Sequence, residues 1–234
     1  MKKTVVLLSV LGLVLAAVAE AAPKKRTRNA NRVGPYGVGL VGHADYSSDT
    51  SEEEQILIES LEGQGVPFQD VTATTKTDDI GYQATFGYRF NRYMAAELGL
   101  VQIGELSTKG SGELDFGEGF VPVDLSLTFS AGGPMFSFIG ILPFNDRFEA
   151  YGRVGYLFTS TEREIRSRVD GQSGGFGAAK GDSQDVVYGV GAAFHFNQVY
   201  SLRLEYQQFD EIGEDESTGT EDVSVIGLGL VVRF

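Results

Sequence analysis

The stretch VSVIGLGLVVRF, residues 223–234, decides the fold class of this 234-residue chain. Read in steps of two, it places five apolar residues on one face: Ile226, Leu228, Leu230, Val232 and Phe234. The other face is mixed and carries glycines, valines and one arginine. A period of two is that of a β-strand, because successive side chains of a strand point to opposite faces. The stretch therefore predicts a strand with one wholly apolar face.

Seven further stretches alternate in the same way, so the sequence predicts eight strands in all. The other predicted strands cover residues 36–46, 80–90, 93–105, 134–142, 148–161, 187–196 and 200–208. The fourth of the eight is expected to have an extension through 121–132, with an irregularity at Pro134. The chain has 31 glycines, 10 tyrosines and 16 phenylalanines, and in alternating runs these residues favour strands over helices.

The predicted connections alternate between short and long. Three are tight turns, at 91–92, 143–147 and 197–198, whereas four are long and polar, at 47–78, 106–120, 162–182 and 211–220. Between antiparallel strands, this alternation puts all the long connections on one side of the sheet. The pattern predicts an all-β fold, an eight-stranded antiparallel up-and-down transmembrane β-barrel with short periplasmic turns and long extracellular loops.

A soluble barrel of the lipocalin type also has eight alternating strands, but two observations decide against it. Six aromatic residues flank the tight turns and predict an interfacial girdle: Phe90, Tyr93, Phe144, Phe148, Phe196 and Tyr200. In addition, the bulky faces would overfill an eight-stranded lumen, which barely holds its side chains. The bulky faces are therefore expected to face lipid. In the first strand, this rule points Tyr36 outward and His43 inward.

The first 35 residues are predicted to lie outside the barrel. Lys2 and Lys3, an apolar stretch and an Ala-x-Ala site predict a signal peptide over 1–21, with an uncleaved membrane anchor as the alternative. Residues 22–35 form a basic arm, and residues 36–234 form the barrel domain. The predicted location is the cell outer membrane, where lipid and lipopolysaccharide are the expected partners.

Charge and composition argue against several classes of function. The formal net charge is −13, which disfavours nucleic-acid binding because phosphate recognition needs clustered lysines and arginines. The chain has no cysteine and only two histidines. Neither a thiolate metal site nor a histidine-rich one is therefore expected, and no cofactor is predicted.

The sequence resembles the OmpA-like and opacity-protein-like eight-stranded outer-membrane barrels. Five stretches carry the resemblance: 93–100, 141–158, 186–197, 201–209 and 226–234. The resemblance implies that Gly229, Val232 and Phe234 form the family's assembly signal, which the barrel-assembly machinery reads. It also shows one departure, because the periplasmic peptidoglycan-binding domain of full-length OmpA-type proteins is not expected in this chain.

Four charged residues on the mixed faces form the main candidate site: Glu97, Arg153, Arg203 and Glu205. They lie four to seven residues from their tight turns, so they are expected at similar depth in the barrel. Opposite charges in a narrow lumen are expected to pair, because an unpaired buried charge costs several kcal/mol. We interpret them as an Arg–Glu network that plugs the barrel, as the resemblance also implies. The alternative is separately hydrated charges in a wet lumen.

Two long connections carry patterns of their own. Ser51 and Glu54 match a capping box before an amphipathic run, which favours a short helix, although a β-extension through 55–59 competes with it. The run from Asp210 to Asp222 contains seven acidic residues and no base. Such a run is typical of a solvated surface, and calcium binding or divalent bridging to lipopolysaccharide is the alternative.

The sequence predicts a non-catalytic barrel for envelope integrity, for surface interaction with a host or surface ligand through its acidic loops, or for both. A small, narrow or gated porin is the main alternative. A lipid A-modifying enzyme is more remote. Residues 204–213 faintly resemble the site of a deacylase, but Gln207 and Gln208 occupy that neighbourhood, and both His43 and His195 are expected to point inward.

Overall fold

The computed structural model describes residues 32–46, 68–76, 78–115, 120–214 and 219–234. These residues form antiparallel strands: β1 Gly34–Tyr46, β2 Phe68–Lys76, β3 Asp78–Arg89, β4 Met94–Asp115, β5 Phe120–Pro143, β6 Phe148–Val169, β7 Gln172–His195, β8 Tyr200–Glu214 and β9 Gly219–Arg233. The predicted signal peptide, the predicted helix near Ser51 and most of the basic arm lie outside the described residues.

The strands close into a ring of eight. β2 and β3 both pair with β4 and are separated only by position 77, so together they form one barrel strand. β1 pairs with β3 on one side and with β9 on the other, from Tyr36↔Arg233 to Tyr46↔Val223. Closure leaves no unpaired edge in the lipid, where an unsatisfied backbone group costs several kcal/mol. The predicted eight-stranded antiparallel barrel is confirmed.

Among the described residues, no helix has the length and apolar character needed to cross a membrane.

Most strands present their bulky faces to the outside, as predicted. Phe86, Val190, Leu204 and Ile226 are between 55% and 63% exposed on the outer surface. The interleaved residues of the same strands are buried in the lumen, where the barrel has room for only a few large side chains.

β1 is the exception, and its predicted orientation was wrong. Tyr36 and Leu40 are each 4% exposed inside the barrel, whereas Val41 is 49% exposed and His43 is exposed on the outer face. The physical reason lies in the neighbouring strands. A Cβ atom at Gly87 of β3 would overlap the Tyr36 ring, and one at Gly227 of β9 would overlap Leu40. Glycines of adjacent strands therefore make the space that β1 fills.

Much of the predicted loop region is strand. β4 and β5 remain paired as far as Asp115↔Phe120, and β6 and β7 as far as Val169↔Gln172. Asp170 and Gly171 close the second hairpin with φ values of 51° and 72°, a turn that suits the twist of two paired strands. The long connections thus include two β-hairpins that rise beyond the lipid-facing band.

Two of the four register shifts in the described ladders, one on β4 and one on β8, change which residues face inward. The β4–β5 register shifts between Ile103 and Glu105. At Pro134, where an irregularity was predicted, the β5–β6 ladder skips two residues without a shift in register. The backbone N–H of Glu105 donates to Asp79 Oδ2 at 2.9 Å. The second shift, between Phe209 and Ile212 of β8, is held in the same way by Asp222 Oδ1, which accepts from Glu211 N at 2.9 Å.

The three tight turns share an asparagine that satisfies the backbone. Asn91 Oδ1 accepts from Tyr93 N at 2.7 Å. Asn145 and Asn197 each accept from the second and third following N–H groups, at 2.8–2.9 Å. Each turn therefore begins with an aromatic residue and an asparagine, and the asparagine side chain replaces a missing backbone partner.

Replacing Asn197 with alanine is expected to lower the free energy of unfolding by about 1 kcal/mol, because two backbone N–H groups lose their acceptor. Urea unfolding in phospholipid vesicles measures this change. Gln198→Ala, in the same exposed turn, is the matched control and is expected to stay within about 0.5 kcal/mol of the wild type. Equal losses in the two variants would contradict the capping role.

Candidate functional site in the barrel lumen

The lumen is filled in layers from the periplasmic turns upward. A floor cluster lies nearest the turns and consists of Arg89, Glu149, His195, Ser201 and Arg233. A central network of charged residues lies above it, followed by an apolar plug on the extracellular side. The alternation of each strand aims these side chains at the barrel axis.

The central network joins the four predicted lumen charges. Arg153 is the central cation: its Nη2 lies 2.7 Å from Glu97 Oε2, and its Nε donates to Glu205 Oε1. Arg203 Nη1 lies 2.8 Å from Glu97 Oε1 and 3.8 Å from Glu205 Oε2. The side chains of Arg153, Glu97 and Glu205 are 0% exposed. Two arginines and two glutamates thus balance their charges away from solvent.

Two tyrosines complete the hydrogen bonding of the glutamates. Tyr36 Oη donates to Glu97 Oε1 and Tyr151 Oη donates to Glu205 Oε2, both at 2.8 Å. Each ring lies where a neighbouring strand carries a glycine, since a Cβ at Gly191 would overlap the Tyr151 ring. The Arg203 guanidinium also stacks 4.7 Å from the centre of the Tyr151 ring. Sequence analysis missed both tyrosines, although their strand partners are glycines.

The floor cluster brings a serine, a histidine and a glutamate together. His195 Nδ1 lies 2.7 Å from Ser201 Oγ, and His195 Nε2 lies 3.3 Å from Glu149 Oε2. Arg89 Nη1 contacts both carboxylate oxygens of Glu149 at 3.0 and 2.9 Å. The order of groups is that of a catalytic triad. However, Ser201 is 0% exposed, and its Oγ accepts from Arg233 Nη1 at 2.5 Å. A hydroxyl in this position is a hydrogen-bond partner and not a nucleophile that a substrate can reach.

The apolar plug fills the extracellular half of the lumen. Its buried members are Ala44, Tyr46, Val101, Ile103, Leu106, Phe129, Ala131, Met135, Leu157, Val187, Phe209, Ile212, Val223 and Val225. Phe129 and Tyr46 meet edge to face, with ring centres 6.3 Å apart. Leu106 and Ile212 reach the plug because they follow the two bulges. Sequence analysis missed the plug, although VGYLF at 154–158 is apolar on both faces.

Gln83 and Gln207 separate the network from the plug. Gln207 Nε2 donates to Gln83 Oε1 at 2.9 Å across the lumen. The void beside this pair measures about 10 Å³, which is about the space of one water molecule. Polar and apolar layers therefore follow one another with little free volume.

The residues predicted for the girdle lie on outward faces beside the tight turns. Phe90, Tyr93, Phe144, Phe148, Phe196 and Tyr200 are between 44% and 67% exposed. Of the three residues of the expected assembly signal, Gly229 pairs with Leu40 and Arg203, and Val232 pairs with Gly37 and Tyr200. The Phe234 ring stacks on Phe86 across β1, with ring centres 6.4 Å apart.

The acidic run lies on the β8–β9 hairpin. Its described side chains include Asp210, Glu211 and Asp222, and Asp222 is engaged by the bulge at Glu211. In the part of the chain that the structure describes, no three acidic or histidine side chains gather in a way that could hold a metal ion.

The family model of the OmpA-like transmembrane domain matches residues 36–234, which is the whole barrel. This chain belongs to that family. Its barrel, turns and extracellular hairpins are therefore those of an OmpA-like barrel, and its location is the outer membrane of a Gram-negative bacterium.

Two relatives illustrate the relationship of this OmpA-like barrel to known sequences. It is 28% identical to outer membrane protein A of Yersinia pseudotuberculosis over 237 residues, covering 100% of this chain and 56% of the relative. It is also 28% identical to outer membrane protein A of Klebsiella pneumoniae over 219 residues, covering 93% of this chain and 54% of the relative. The chain thus spans about half the length of these relatives.

Two solved outer-membrane proteins are also similar to this chain, with little sequence identity. OprG of Pseudomonas aeruginosa is 14% identical with a TM-score of 0.42, covering 86% of this chain and 97% of that structure. The N-terminal β-barrel domain of OprF from the same organism is 12% identical with a TM-score of 0.40, covering 85% and 98%.

Proposed function

We propose that this OmpA-like barrel is a closed, non-catalytic element of the outer membrane that supports envelope integrity and offers its extracellular hairpins for surface interaction. The observation that carries the proposal is the succession of two occluding layers in one lumen. The charged network occupies the middle of the barrel, and the apolar plug occupies its extracellular half.

The two layers would oppose ion passage for different physical reasons. An ion that enters the network must displace ion pairs whose partners would then be buried without compensation, at several kcal/mol each. An ion that enters the plug meets Leu157, Val187 and Phe129, which are 0% exposed and offer no ligands. Either layer alone is sufficient to stop conduction through a lumen of this width.

A narrow or gated pore is the second candidate, and Arg203 favours it. Arg203 Nη1 lies 2.8 Å from Glu97 but 3.8 Å from Glu205, and its Nε is buried with no hydrogen-bond partner among the described residues. A cation held from one side needs only a small movement to exchange its carboxylate partner.

The lumen proposal is tested by single-channel conductance in planar bilayers with four proteins: the wild type, Arg203→Ala, Phe129→Ala and the double variant. We expect no discrete openings in the wild type or in either single variant, because one layer remains in each. Openings are expected only in the double variant. Steady openings in the wild type would overturn the closed barrel and favour the pore, and openings in Arg203→Ala alone would show that the plug does not block ions.

Two partners belong to the same proposal. The barrel-assembly machinery would read the pattern formed by Gly229, Val232 and Phe234, which occupies the last part of β9 and the residue after it. A host or surface ligand would meet the extracellular hairpins, including the acidic run of β8–β9. Support for both comes from position and chemistry: an alternating apolar strand end for assembly, and charged, solvent-facing strands for recognition.

A further inference from the structure

The outer face of the protruding β4–β6 sheet contains a polar cleft of about 600 Å³. Three bases line it, namely Lys109 of β4 and Arg166 and Arg168 of β6, with Asp124 of β5 as the acid. Four residues with hydroxyl groups on the same face complete the lining: Thr74, Ser111, Ser126 and Ser173. The charged residues that line the cleft sum to +2, or to +1 when Glu164, which pairs with Arg166, is included, in a chain whose formal net charge is −13.

The register aligns these side chains across neighbouring strands. Ser126 of β5 lies opposite both Lys109 and Arg166, and Asp124 lies opposite both Ser111 and Arg168. Partners in register point to the same face of a sheet. Arg166 also forms an ion pair with Glu164 of the same strand, with 2.6 Å between Arg166 Nη2 and Glu164 Oε2. Lys109, Arg166 and Arg168 therefore lie on the same face of the sheet and border the same cleft.

The cleft opens away from the barrel axis, on the same side of the strands as the lipid-facing residues. On β6, the outward residues above Phe158 are Ser160, Glu162, Glu164, Arg166 and Arg168. Each step of two residues rises about 5 Å along the axis of a barrel whose strands tilt about 40°. The arginines therefore lie roughly 20 Å above the lipid-facing band. What adjoins the barrel laterally at that height is the saccharide layer of the outer leaflet.

The opposite side of the barrel has the reverse charge. β8 and β9 lie across the ring from β5, and their hairpin carries the acidic run from Asp210 to Asp222 without a base. Among the described residues, the three bases of the cleft therefore offer anionic neighbours a cationic surface that the β8–β9 hairpin does not offer. The basic β4–β6 side therefore attracts anions, whereas the acidic β8–β9 hairpin repels them.

We propose that this cleft binds phosphate groups on the saccharide portion of lipopolysaccharide molecules beside the barrel. Lys109, Arg166 and Arg168 supply charge-assisted hydrogen bonds to phosphate oxygens, and the arginine fork suits two oxygens at once. The serine and threonine hydroxyls match the hydroxyls of the sugar, because each is both a donor and an acceptor. The site rests on the outer-membrane location and is independent of whether the lumen conducts.

The experiment uses the full chain refolded into zwitterionic micelles, with folding checked by the mobility shift of the unheated barrel on a gel. The variants are Lys109→Gln/Arg166→Gln/Arg168→Gln and, as the control, Arg92→Gln/Arg147→Gln in the exposed periplasmic turns. Each protein is titrated with a rough lipopolysaccharide that carries core phosphates, and with the same lipopolysaccharide after dephosphorylation. A soluble sulfated oligosaccharide is a third ligand.

We expect the triple variant to bind the phosphorylated lipopolysaccharide about tenfold more weakly, roughly a factor of two for each base removed. The control is expected to remain within about twofold of the wild type, and dephosphorylation should weaken wild-type binding as much as the triple variant does. Equal affinity of wild type and triple variant would overturn the site. Tighter binding of the soluble oligosaccharide would assign the cleft to an external glycan instead. Cross-linking between barrels without lipopolysaccharide, lost in the triple variant, would assign it to the acidic hairpin of a second copy.

Discussion

Replacing Arg153 with methionine is expected to lower the free energy of unfolding of the barrel by about 3–5 kcal/mol. Arg153 hydrogen-bonds to both glutamates of the central network, and its Nη1 also donates to Ser137 Oγ at 2.7 Å. Its removal leaves two carboxylates with one arginine in a space closed to water. Urea unfolding in phospholipid vesicles, followed by tyrosine fluorescence and gel mobility, measures the loss.

The control for Arg153→Met is Arg147→Met, which removes the same charge from an exposed turn and is expected to change stability by about 0.5 kcal/mol or less. Adding Glu205→Gln to Arg153→Met should restore part of the loss, because one uncompensated charge disappears with it. A network that contributes nothing would give similar values for Arg153→Met and Arg147→Met. No recovery in the double variant would show that the loss comes from packing alone.

Replacing Phe129 with alanine is expected to lower the free energy of unfolding by about 3–5 kcal/mol. Phe129 is 0% exposed and is one of the largest fully buried side chains of the described barrel. Its loss removes the edge-to-face contact with Tyr46 and leaves a void between strands that cannot collapse, since each strand is fixed by two hydrogen-bonded neighbours. The same urea titration measures this effect.

Phe120 provides the matched control because it lies on the same strand but is 55% exposed. Phe120→Ala is expected to stay within about 0.5 kcal/mol of the wild type, and Phe129→Leu should lose about 1.5 kcal/mol or less because most of the volume remains. Similar losses at Phe129 and Phe120 would mean that the extracellular half of the lumen is loosely packed.

The alternation of single strands was enough to predict the ring, the turns and most strand orientations. β8 from Tyr200 to Tyr206 and β9 from Ile226 to Val232 show why: each of these parts has one wholly apolar face, and its period of two fixes which residues enter the lumen. The same parity, with similar distances from the tight turns, predicted that Glu97, Arg153, Arg203 and Glu205 occupy one level. These features are local, so a single sequence carries them.

The features that sequence analysis missed depend on two or more strands at once. Tyr36 points inward because Gly87 of β3 leaves room for its ring, and nothing within β1 records that space. The bulge after Ile103 is stabilised by Asp79 of another strand, and it decides that Leu106 joins the plug. Where both faces of a strand are apolar, the neighbouring strands therefore decide which face is buried.

The pairing of β1 with β9, which closes the barrel, affects how quickly the barrel can form. Its ladder joins the two strands most distant in sequence, and the Phe234 ring then packs across β1 onto Phe86. Contacts of such long sequence separation are entropically expensive to reach and therefore form late. Until they form, β1 and β9 both expose unpaired backbone. The longer the open barrel persists, the longer another strand can pair with the free edge of β1 or β9. Slow pairing of β1 with β9 would therefore favour aggregation.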